Sequence, residues 1–367
     1  MRFPENKNFT LRIATKKREI DITSQEWNAL ASDCETNTIF QTYEWFHSWW
    51  DIFGESYQLY FIAIYENQDL AGIAPLMISG HSSRKTLQFV GNGKSDYCDF
   101  LIRTQKEAIL FTLFDHIFQN IHKWDYICLN NIPKSSSSVE ILAKICESYR
   151  CRFITGNLYQ CPTLVMKGFE KETVDLINKP SLKRRYNYFS KSGRLSFVNI
   201  TNQKEAQELL DIFFQQHIKR WDKRGMSSLF LNTKNRDFYR ELTRNMLAKG
   251  WLLFSMLEYN DKPIAFHFGF DYNSRVIWYK PSFDIDYFKH SPGKVLLRFL
   301  IEFALSNGNS ELDFTLGDEP FKQEFSNQTR TNLYLKIFKR KLDYHIVVFY
   351  YRMRLKTRWV TKIFAVQ

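Results

Sequence analysis

The chain has 367 residues, of which 44% are hydrophobic and 25% are charged, and its formal net charge is +12. This composition excludes an intrinsically disordered protein, because 33 Phe, 19 Tyr and 9 Trp are enough to fill extensive cores. The length suits two domains better than one.

Cysteine and hydropathy patterns narrow the class further. The six cysteines form no CxxC pair and have no spacing to histidines that is typical of a metal site. We therefore expect reduced, packed thiols and no bound metal. The N-terminal segment lacks the apolar core of a signal peptide, and no apolar run of about 18 residues occurs, so we predict a cytoplasmic protein without a membrane span.

The first half of the chain is predicted to be an α/β domain over residues 1–165. Residues 59–79 predict a strand, a polar turn and a second strand. A third strand follows at 85–91, then a helix at 105–122 and a strand at 124–133. No Ser-Pro-Gly turn precedes this helix, so we predict a non-catalytic domain that shapes a cleft.

A basic helical connector is predicted over 166–225. Its segment SLKRRYNYFSKSGR holds five cations and no acid, a pattern that suits the phosphates of CoA, of a nucleotide-linked or lipid-linked acceptor, or of RNA. A solvated helix face is the simpler interpretation. A second helix, 204–221, places His217 and Trp221 one turn apart. These two residues could line the acceptor side or only dock the helix.

The second half repeats the layout and is predicted to be a domain over 226–345. Aromatic and β-branched runs predict a three-stranded meander with strands at 251–259, 264–272 and 276–283. The remaining predicted elements are a helix from 292, a strand at 311–317, a short helix from Pro320 and a strand at 332–340. The fold class is therefore α/β, with two tandem, related domains, each a mixed, mostly antiparallel sheet flanked by helices.

The turn HSPGK joins the meander to the main helix of this domain. Ser291 suits the N-cap, and Pro292 suits the first helical position. Gly293 leaves backbone N–H groups uncovered at the positive end of the helix dipole, while Lys294 and Arg298 add two cations. We predict that the turn binds an anion; a plain helix start is the alternative.

This order of elements, with an anion-binding turn before the main helix, resembles the GNAT N-acetyltransferase fold. In that fold the amides of the turn hold the acyl-CoA pyrophosphate. The usual Q/R-x-x-G-x-G/A pattern is absent here, and HSPGK stands in its place. The resemblance implies that Ser291, Pro292, Gly293, Lys294 and Arg298 bind acetyl-CoA or another acyl-CoA.

Three further segments resemble the double-domain branch of CelD-type cellulose-biosynthesis acetyltransferases, distant relatives of the Fem peptidoglycan-bridge transferases. They are FQTYEWFHSWWDIFG at 40–54, HIKRWDKRG at 217–225 and LDFTLGDEPFKQEF at 312–325. The resemblance spans about residues 20–340. It implies an acyltransferase that serves polysaccharide or cell-envelope biosynthesis.

Acyl transfer from a thioester needs a base for the nucleophile and an acid for the leaving thiolate. His267 shares the small, polar face of its strand with Ala265 and Gly269, so it is a candidate base on a cleft floor. A hydrogen-bonded structural histidine is the alternative. Tyr279, one strand over, could protonate the leaving sulfur or simply pack as an aromatic residue.

The segment ELDFTLGDEPFK supplies the other candidates. Asp313 points to the opposite face from the apolar side chains of its strand and could orient or deprotonate the acceptor. We predict that Asp318 caps the short helix and pairs with Lys322. Asp318, Glu319 and Lys322, together with His217 and Trp221, form the predicted acceptor side.

Residues 346–367 are predicted to form a basic aromatic tail. From Lys336 to the end, nine Lys and Arg residues stand against one acid, Asp343, which gives a net charge of +8. Bulky apolar residues alternate with these cations, so the tail suits an anionic lipid surface or a polyanion. A final core strand with a solvated basic end is the alternative. We expect peripheral contact with the inner face of a membrane and no nucleic-acid partner.

The leading hypothesis is an acyl-CoA-dependent acyltransferase acting on an amino or hydroxyl group of a polysaccharide or cell-envelope precursor. A Fem-like transferase that uses aminoacyl-tRNA is the first alternative, although the connector is too short for the long helical hairpin typical of those enzymes. The second alternative is a non-catalytic scaffold of a biosynthetic complex at the membrane.

Overall fold

The computed structural model describes residues 9–80 and 84–349, and its elements follow the same order in both halves of the chain. The first half contains β1 (Phe9–Ala14), α1 (Ser24–Ser32), α2 (Tyr43–Phe53), β2 (Gln58–Glu66), β3 (Asp69–Ser79), β4 (Thr86–Phe89), β5 (Leu101–Ile102), α3 (Lys106–Gln119), β6 (Tyr126–Pro133), α4 (Ser138–Ser148) and β7 (Arg152–Val165).

The second half opens with two additional helices and then repeats this order. It contains α5 (Glu170–Ile177), α6 (Pro180–Ser192), β8 (Leu195–Asn199), α7 (Gln203–Asp222), α8 (Thr233–Met246), β9 (Leu252–Tyr259), β10 (Lys262–Tyr272), β11 (Arg275–Phe283), α9 (Pro292–Ser306), β12 (Glu311–Asp313), α10 (Pro320–Phe325) and β13 (Gln328–Phe338). A further helix occupies 341–349.

Two units can be distinguished by their internal packing. The first unit takes the chain up to Thr36, Ser56–Leu158 and the residues from Asn332 on, and the second takes Asn37–Glu55 and Tyr159–Thr331. Helix α2 therefore belongs to the second unit, although its place in the chain is within the first repeat. The chain changes unit within β7 and again within β13.

Each unit has one parallel strand pair in an otherwise antiparallel sheet. The first unit has the strand order β1-β2-β3-β4-β6-β13, in which β4 and β6 are parallel. The second unit has the order β7-β12-β11-β10-β9-β8, in which β11 and β12 are parallel. The predicted fold class, two tandem α/β domains with mixed, mostly antiparallel sheets, is confirmed.

The sheet of the second unit is covered on both faces, and β10 is buried from Ile264 to Phe270. On one face, Ala265 belongs to the same core as Leu296 and Leu300 of α9. On the other face, Phe268 packs against Phe213 of α7 and Tyr239 of α8. Alternating residues of this strand therefore face two different helical layers, and neither face is open to solvent.

The predicted boundaries differ from the observed ones in several places. Residues 166–225, predicted as a connector, lie in the second unit, because the apolar side chains of α7 pack on its sheet. The strand predicted at 311–317 ends at Asp313, since Thr315 takes a φ of 55°, which no strand residue adopts. Residues 350–367 of the predicted tail lie outside the described residues.

Three chemical features of the sequence can be compared with the structure. All six cysteines are unbridged, in agreement with the predicted reduced thiols. Over residues 9–80 and 84–349, no helix combines the length and the apolar run that a membrane crossing requires. Within the same residues, no group of three or more His, Cys, Asp or Glu side chains is arranged to hold a metal ion.

A buried carboxylate fixes the parallel pair of the second unit. Glu311 is the register partner of Arg275, whose Nε lies 3.1 Å from its Oε1. The guanidinium of Arg330 donates two hydrogen bonds to the same carboxylate, at 2.8 and 2.5 Å. This bidentate geometry is the strong form of the interaction, and it holds β12 against β11 at the only place where the two strands pair.

The Glu311→Gln variant tests this anchor, because it keeps the size of the side chain and removes its charge. We expect it to lower the free energy of unfolding by about 2 kcal/mol, since two half-buried guanidinium groups lose their counter-charge. Urea unfolding of the full chain measures the loss. Glu302→Gln, which removes the ion pair of Glu302 with Arg298 on one turn of α9, is the control and should cost less than about 1 kcal/mol. Equal losses in the two variants would contradict the anchoring role.

Candidate functional site

A gap opens between the two parallel strands of the second unit. Strands β11 and β12 pair only as far as Ile277 and Asp313, whereas β11 continues to Phe283. Past this point the chain turns away from β11, because the N–H of Phe314 donates to the Pro162 carbonyl at 3.0 Å. The two strands therefore part, and within residues 9–80 and 84–349 no strand pairs with this edge of β11 beyond Ile277. The Thr315 hydroxyl still donates to the Trp278 carbonyl, at 3.4 Å.

Helix α9 follows β11 and a short 3-10 helix, Ile285–His290. Ser291 occupies the N-cap position in the left-handed region, with φ 55° and ψ 56°, and its side chain makes no capping hydrogen bond. The predicted N-cap position of Ser291 is confirmed, without a hydrogen bond from its side chain, and the Ser291 carbonyl accepts from the N–H of Lys294 at 3.0 Å. Pro292 occupies the first helical turn as predicted, and the N–H of Gly293 lies at the open end of this 15-residue helix.

The two cations predicted for the anion are already paired. Lys294 forms an ion pair with Glu324 of α10. Arg298 pairs with Glu302 at 2.9 Å and lies over the ring of Tyr186, 4.4 Å from its centroid. Acids and an aromatic ring from the same unit therefore already contact both cations, and their predicted role in anion binding stays a prediction.

A different cation lies near the first turn of α9. The guanidinium of Arg220 stacks on the ring of Phe283 at 4.4 Å and donates to the Pro281 carbonyl at 3.1 Å. Burial, assisted by the charge of Arg224, lowers the pKa of Arg220 to about 10, so the group stays protonated at neutral pH. A Cβ placed on Gly293 would lie 3.3 Å from the same phenylalanine ring. Arg220 and the open helix end therefore share one aromatic neighbour.

Sequence reasoning missed Arg220 as a site residue. It lies within HIKRWDKRG, where His217 and Trp221 were selected and the arginine between them was not. Arg220 follows His217 by three residues, so the two lie on the same side of the helix. This spacing is the sequence signal that could have identified Arg220. What distinguishes Arg220 from the exposed cations of the motif is its packing on Phe283, 63 positions later in the chain.

His217 and Trp221 lie together as predicted, with ring centroids 5.5 Å apart. The Nδ1 of His217 is 2.9 Å from the Ser228 hydroxyl, and the side chain is buried. Burial, then the charges of Arg220 and Lys280, lower the pKa of His217 to about 3. The imidazole is therefore neutral at physiological pH. The contributions of Arg220 and Lys280 indicate a positively charged environment at this end of α7.

His267 is not on a cleft floor. The side chain is completely buried, its Nε2 lies 3.2 Å from the Ile277 carbonyl, and its ring stacks on Trp278. Burial lowers the pKa of His267 to about 3. The cleft prediction is wrong because α9 covers this face of β10, so the small and polar side chains there form part of a core.

Asp313 ends β12 at the point where the gap opens. It is buried, and its Oδ1 accepts a hydrogen bond of 2.7 Å from the N–H of Thr315. This bond holds Thr315 in its left-handed conformation and turns the chain away from β11. Asp313 therefore shapes the start of the opening.

Tyr279 lies two residues beyond the opening on β11. Its ring packs against Trp45 of α2 and Tyr239 of α8, with centroids 5.7 and 6.1 Å away. The ammonium of Lys280 lies 4.3 Å from the same ring. Tyr279 is thus part of the aromatic layer on the face opposite α9.

The loop after β12 is held by a lysine. Lys322 is buried, donates to the Leu316 carbonyl and pairs with Glu319 at 2.9 Å. Glu319, and not Asp318, occupies the N-cap position of α10, so the predicted Asp318–Lys322 pair is wrong. Asp318 is exposed. Glu319 precedes Lys322 by three residues, a spacing that places the two side chains on the same side of a helix.

The equivalent position of the first unit is filled by its own side chains. Gln105, at the N-cap of α3, also adopts the left-handed region, with a φ of 50°. The ammonium of Lys106 lies 2.7 Å from Glu35 and 3.0 Å from the Ser136 hydroxyl, which in turn donates to buried Asp99. This internal network satisfies the groups that would otherwise face a ligand.

Comparison with known proteins adds the family. Residues 179–323 match the family model described as "Acetyltransferase (GNAT) domain". The matched range begins inside the predicted connector, which agrees with the membership of α7 in the second unit. No curated protein matches the sequence. Residues 179–323 of the second unit are therefore similar to a GNAT acetyltransferase domain.

Solved structures share the fold of the whole chain. The structure of FemX has a TM-score of 0.64 at 10% identity, covering 89% of this chain and 99% of FemX. L-PGS from Bacillus licheniformis has a TM-score of 0.56 at 11% identity, with 93% and 97% covered. A tandem GNAT protein from the clavulanic acid biosynthesis pathway has a TM-score of 0.50 at 9% identity, with 90% and 98% covered. At these identities the likenesses show the fold alone, a tandem arrangement of two GNAT-like domains.

The depressed pKa values of the two buried histidines predict a pH-dependent stability. Below pH about 6.5 the unfolded chain protonates its histidines, whereas folded His217 and His267 stay neutral until pH about 3. Protons therefore favour the unfolded state, and each histidine should cost about 2 kcal/mol of stability between pH 7 and pH 5. Removing one of them with His267→Gln should reduce this pH-dependent loss by about half.

Urea unfolding at the two pH values measures the effect, and the quantity compared is the difference between pH 7 and pH 5 within each variant. His122→Gln, at an exposed position, controls for the loss of a histidine as such. An unchanged pH difference in His267→Gln would show that His267 has the same pKa in the folded and unfolded chains, and would reopen its assignment as a base.

Proposed function

We propose that the protein is an acyl-CoA-dependent acyltransferase, with acetyl-CoA as the donor to test first. We further propose that the acceptor is an amino or hydroxyl group of a polysaccharide or cell-envelope precursor. One observation carries the donor proposal: β11 extends past its pairing with β12 to Phe283, which lies beside Gly293 at the start of α9, within the range that matches the GNAT domain.

The geometry suits both parts of a CoA molecule. The N–H of Gly293 and the positive end of α9 are complementary to a pyrophosphate. Arg220 supplies a positive charge near this helix end, in the place of Lys294 and Arg298, which are paired. The edge of β11 beyond Ile277 presents backbone groups to which an extended, amide-containing arm can hydrogen bond as an added strand.

Asp313 is the proposed chemical group, because it lies where the gap opens. Its carboxylate accepts a hydrogen bond from the N–H of Thr315 and is the group that we propose takes up the proton of the acceptor. The acceptor nitrogen or oxygen then bonds to the acyl carbon, the carbon–sulfur bond breaks, and the coenzyme leaves as a thiolate. Buried His267 and the packed ring of Tyr279 have no part in this proposal.

The acceptor side is proposed around the loop that follows β12. Asp318 and Glu319 are exposed there, and they are the groups of this loop that a soluble acceptor can reach. Trp221 is half-buried beside His217 and can contribute a flat apolar surface for a sugar ring. Lys322 acts indirectly, by holding the loop through Leu316.

A second donor class has one structural argument in its favour. Helix α6 exposes Lys183, Arg184 and Lys191, and it carries no acid. Such a face is complementary to the backbone of an RNA, as in aminoacyl-tRNA. The first test therefore includes tRNA beside CoA.

The donor proposal predicts that CoA and acetyl-CoA raise the melting temperature of the full chain in a saturable manner. A ligand that binds only the folded state at about 100 times its Kd adds about 2.7 kcal/mol of stability. Gly293→Asp should weaken this binding by at least about tenfold, because its carboxylate meets the phosphates at the helix end. A thermal-shift titration measures both.

Gly293→Ala is the matched control, since it adds the same Cβ beside Phe283 without the charge. We expect it to keep its CoA affinity within about threefold of wild type. The donor proposal is contradicted if CoA leaves the melting temperature unchanged while tRNA raises it, and if high salt abolishes the effect of tRNA. That result would favour the aminoacyl-tRNA alternative.

The role of Asp313 predicts that Asp313→Asn retains the fold and the CoA shift but loses about 100-fold or more in turnover. The amide oxygen of asparagine can still accept from Thr315, whereas it cannot take up a proton. Turnover is followed as release of the CoA thiol with a panel of amines and amino sugars. Thr315→Ala keeps the backbone N–H and serves as the control; an equal loss in Asp313→Asn and Thr315→Ala would assign Asp313 to loop shape alone.

A further inference from the structure

An apolar stripe lies exposed on the helix at 341–349. Leu342, Ile346 and Phe349 are 68%, 54% and 65% exposed. Their spacing of four and then three residues places them on one side of the helix. We call Leu342, Ile346 and Phe349 the tail stripe.

The opposite side of this helix holds it against the first unit. Tyr344 packs on Phe338 of β13, with ring centroids 5.7 Å apart. Asp343 pairs with Arg84 at 3.6 Å. Because these contacts use the other side of the helix, the tail stripe faces outward. Three large apolar side chains on one side of a short helix form a contiguous exposed apolar patch. Such a patch is typical of an interaction site.

Positive side chains outnumber acids around the tail stripe. Lys339 and Arg340 precede it and share Asp125 at 3.9 and 4.0 Å, Lys341 is exposed, and Arg84 pairs with Asp343. Residues 336–367 together carry a net charge of +8. A partner that covers the stripe must therefore tolerate, or compensate, a dense positive charge while it buries apolar side chains.

We propose that the tail stripe binds an anionic lipid surface, independently of the proposed transferase activity. Acyl chains would bury Leu342, Ile346 and Phe349, while the lipid phosphates would lie against the lysines and arginines. Residues 350–367 contain five further Lys and Arg residues and no acid, so they would add positive charge to the stripe and not compensate it. A second copy of this chain brings the same excess of positive charge. A nucleic acid satisfies the cations but does not bury three aliphatic and aromatic side chains.

Vesicle sedimentation with the full chain tests the proposal. Vesicles of phosphatidylcholine with about 30% phosphatidylglycerol provide the anionic surface, and phosphatidylcholine alone provides the neutral one. Wild type should bind the anionic vesicles, and raising the salt from about 0.1 M to about 1 M should weaken this binding, because the screening length falls from about 10 Å to about 3 Å.

The decisive variant is the double substitution Leu342→Ser and Ile346→Ser, which leaves every charge in place. We expect it to lower the partition coefficient on anionic vesicles by about tenfold or more. The matched control is Leu231→Ser with Ile212→Ser, which removes the same two residue types from exposed positions in the second unit. The control should bind as wild type does, and unchanged melting temperatures show that both variants are folded.

Three results would overturn the proposal. The first is vesicle binding that is equal in the stripe variant and in wild type. The second is a wild-type chain that does not bind vesicles but forms a dimer, while the stripe variant stays monomeric. That result would show that the stripe binds a second copy of the chain. The third is tRNA binding that depends on the stripe in the absence of vesicle binding.

Discussion

The separation of two parallel strands is the constraint on which the candidate site depends. Strands β11 and β12 are held together at their start by Glu311, which bridges Arg275 and Arg330, and they part after Ile277 and Asp313. A parallel pair that is pinned at one end and open at the other leaves strand-edge hydrogen-bonding groups without a partner strand. Phe283, at the end of β11, lies beside Gly293, so the start of helix α9 is next to the part of β11 that extends past β12.

The two units begin their main helices in the same way and surround them with different side chains. Both main helices start after a residue in the left-handed region, Ser291 in one unit and Gln105 in the other. In the first unit, Lys106 and Asp99 bind one another and the neighbouring serines, so the polar groups are satisfied internally. In the second unit the helix end has a glycine and a nearby stacked arginine. The difference between the copies lies in side chains and not in topology.

The sequence predicts the regular elements well because their signals are local. Runs of aromatic and β-branched residues between short turns gave the three strands of the meander, and β11, predicted at 276–283, is found at Arg275–Phe283. The burial of His267 could not be predicted in the same way, because it depends on α9, a helix that covers the strand from a later part of the chain. The ion pair between Lys294 and Glu324 joins residues 30 positions apart, and the stacking of Arg220 on Phe283 joins residues 63 positions apart. Such contacts follow from tertiary packing and leave no periodic pattern.

The central claim is that the gap beside α9 binds an acyl-CoA. Amide hydrogen exchange of the full chain, measured with and without CoA, tests this claim at the level of the backbone. The account predicts slower exchange of the N–H groups in Trp278–Phe283 and in the first turn of α9, with no change around Lys106 of the first unit. Unchanged exchange in the second unit at saturating CoA, or protection confined to the first unit, would contradict it.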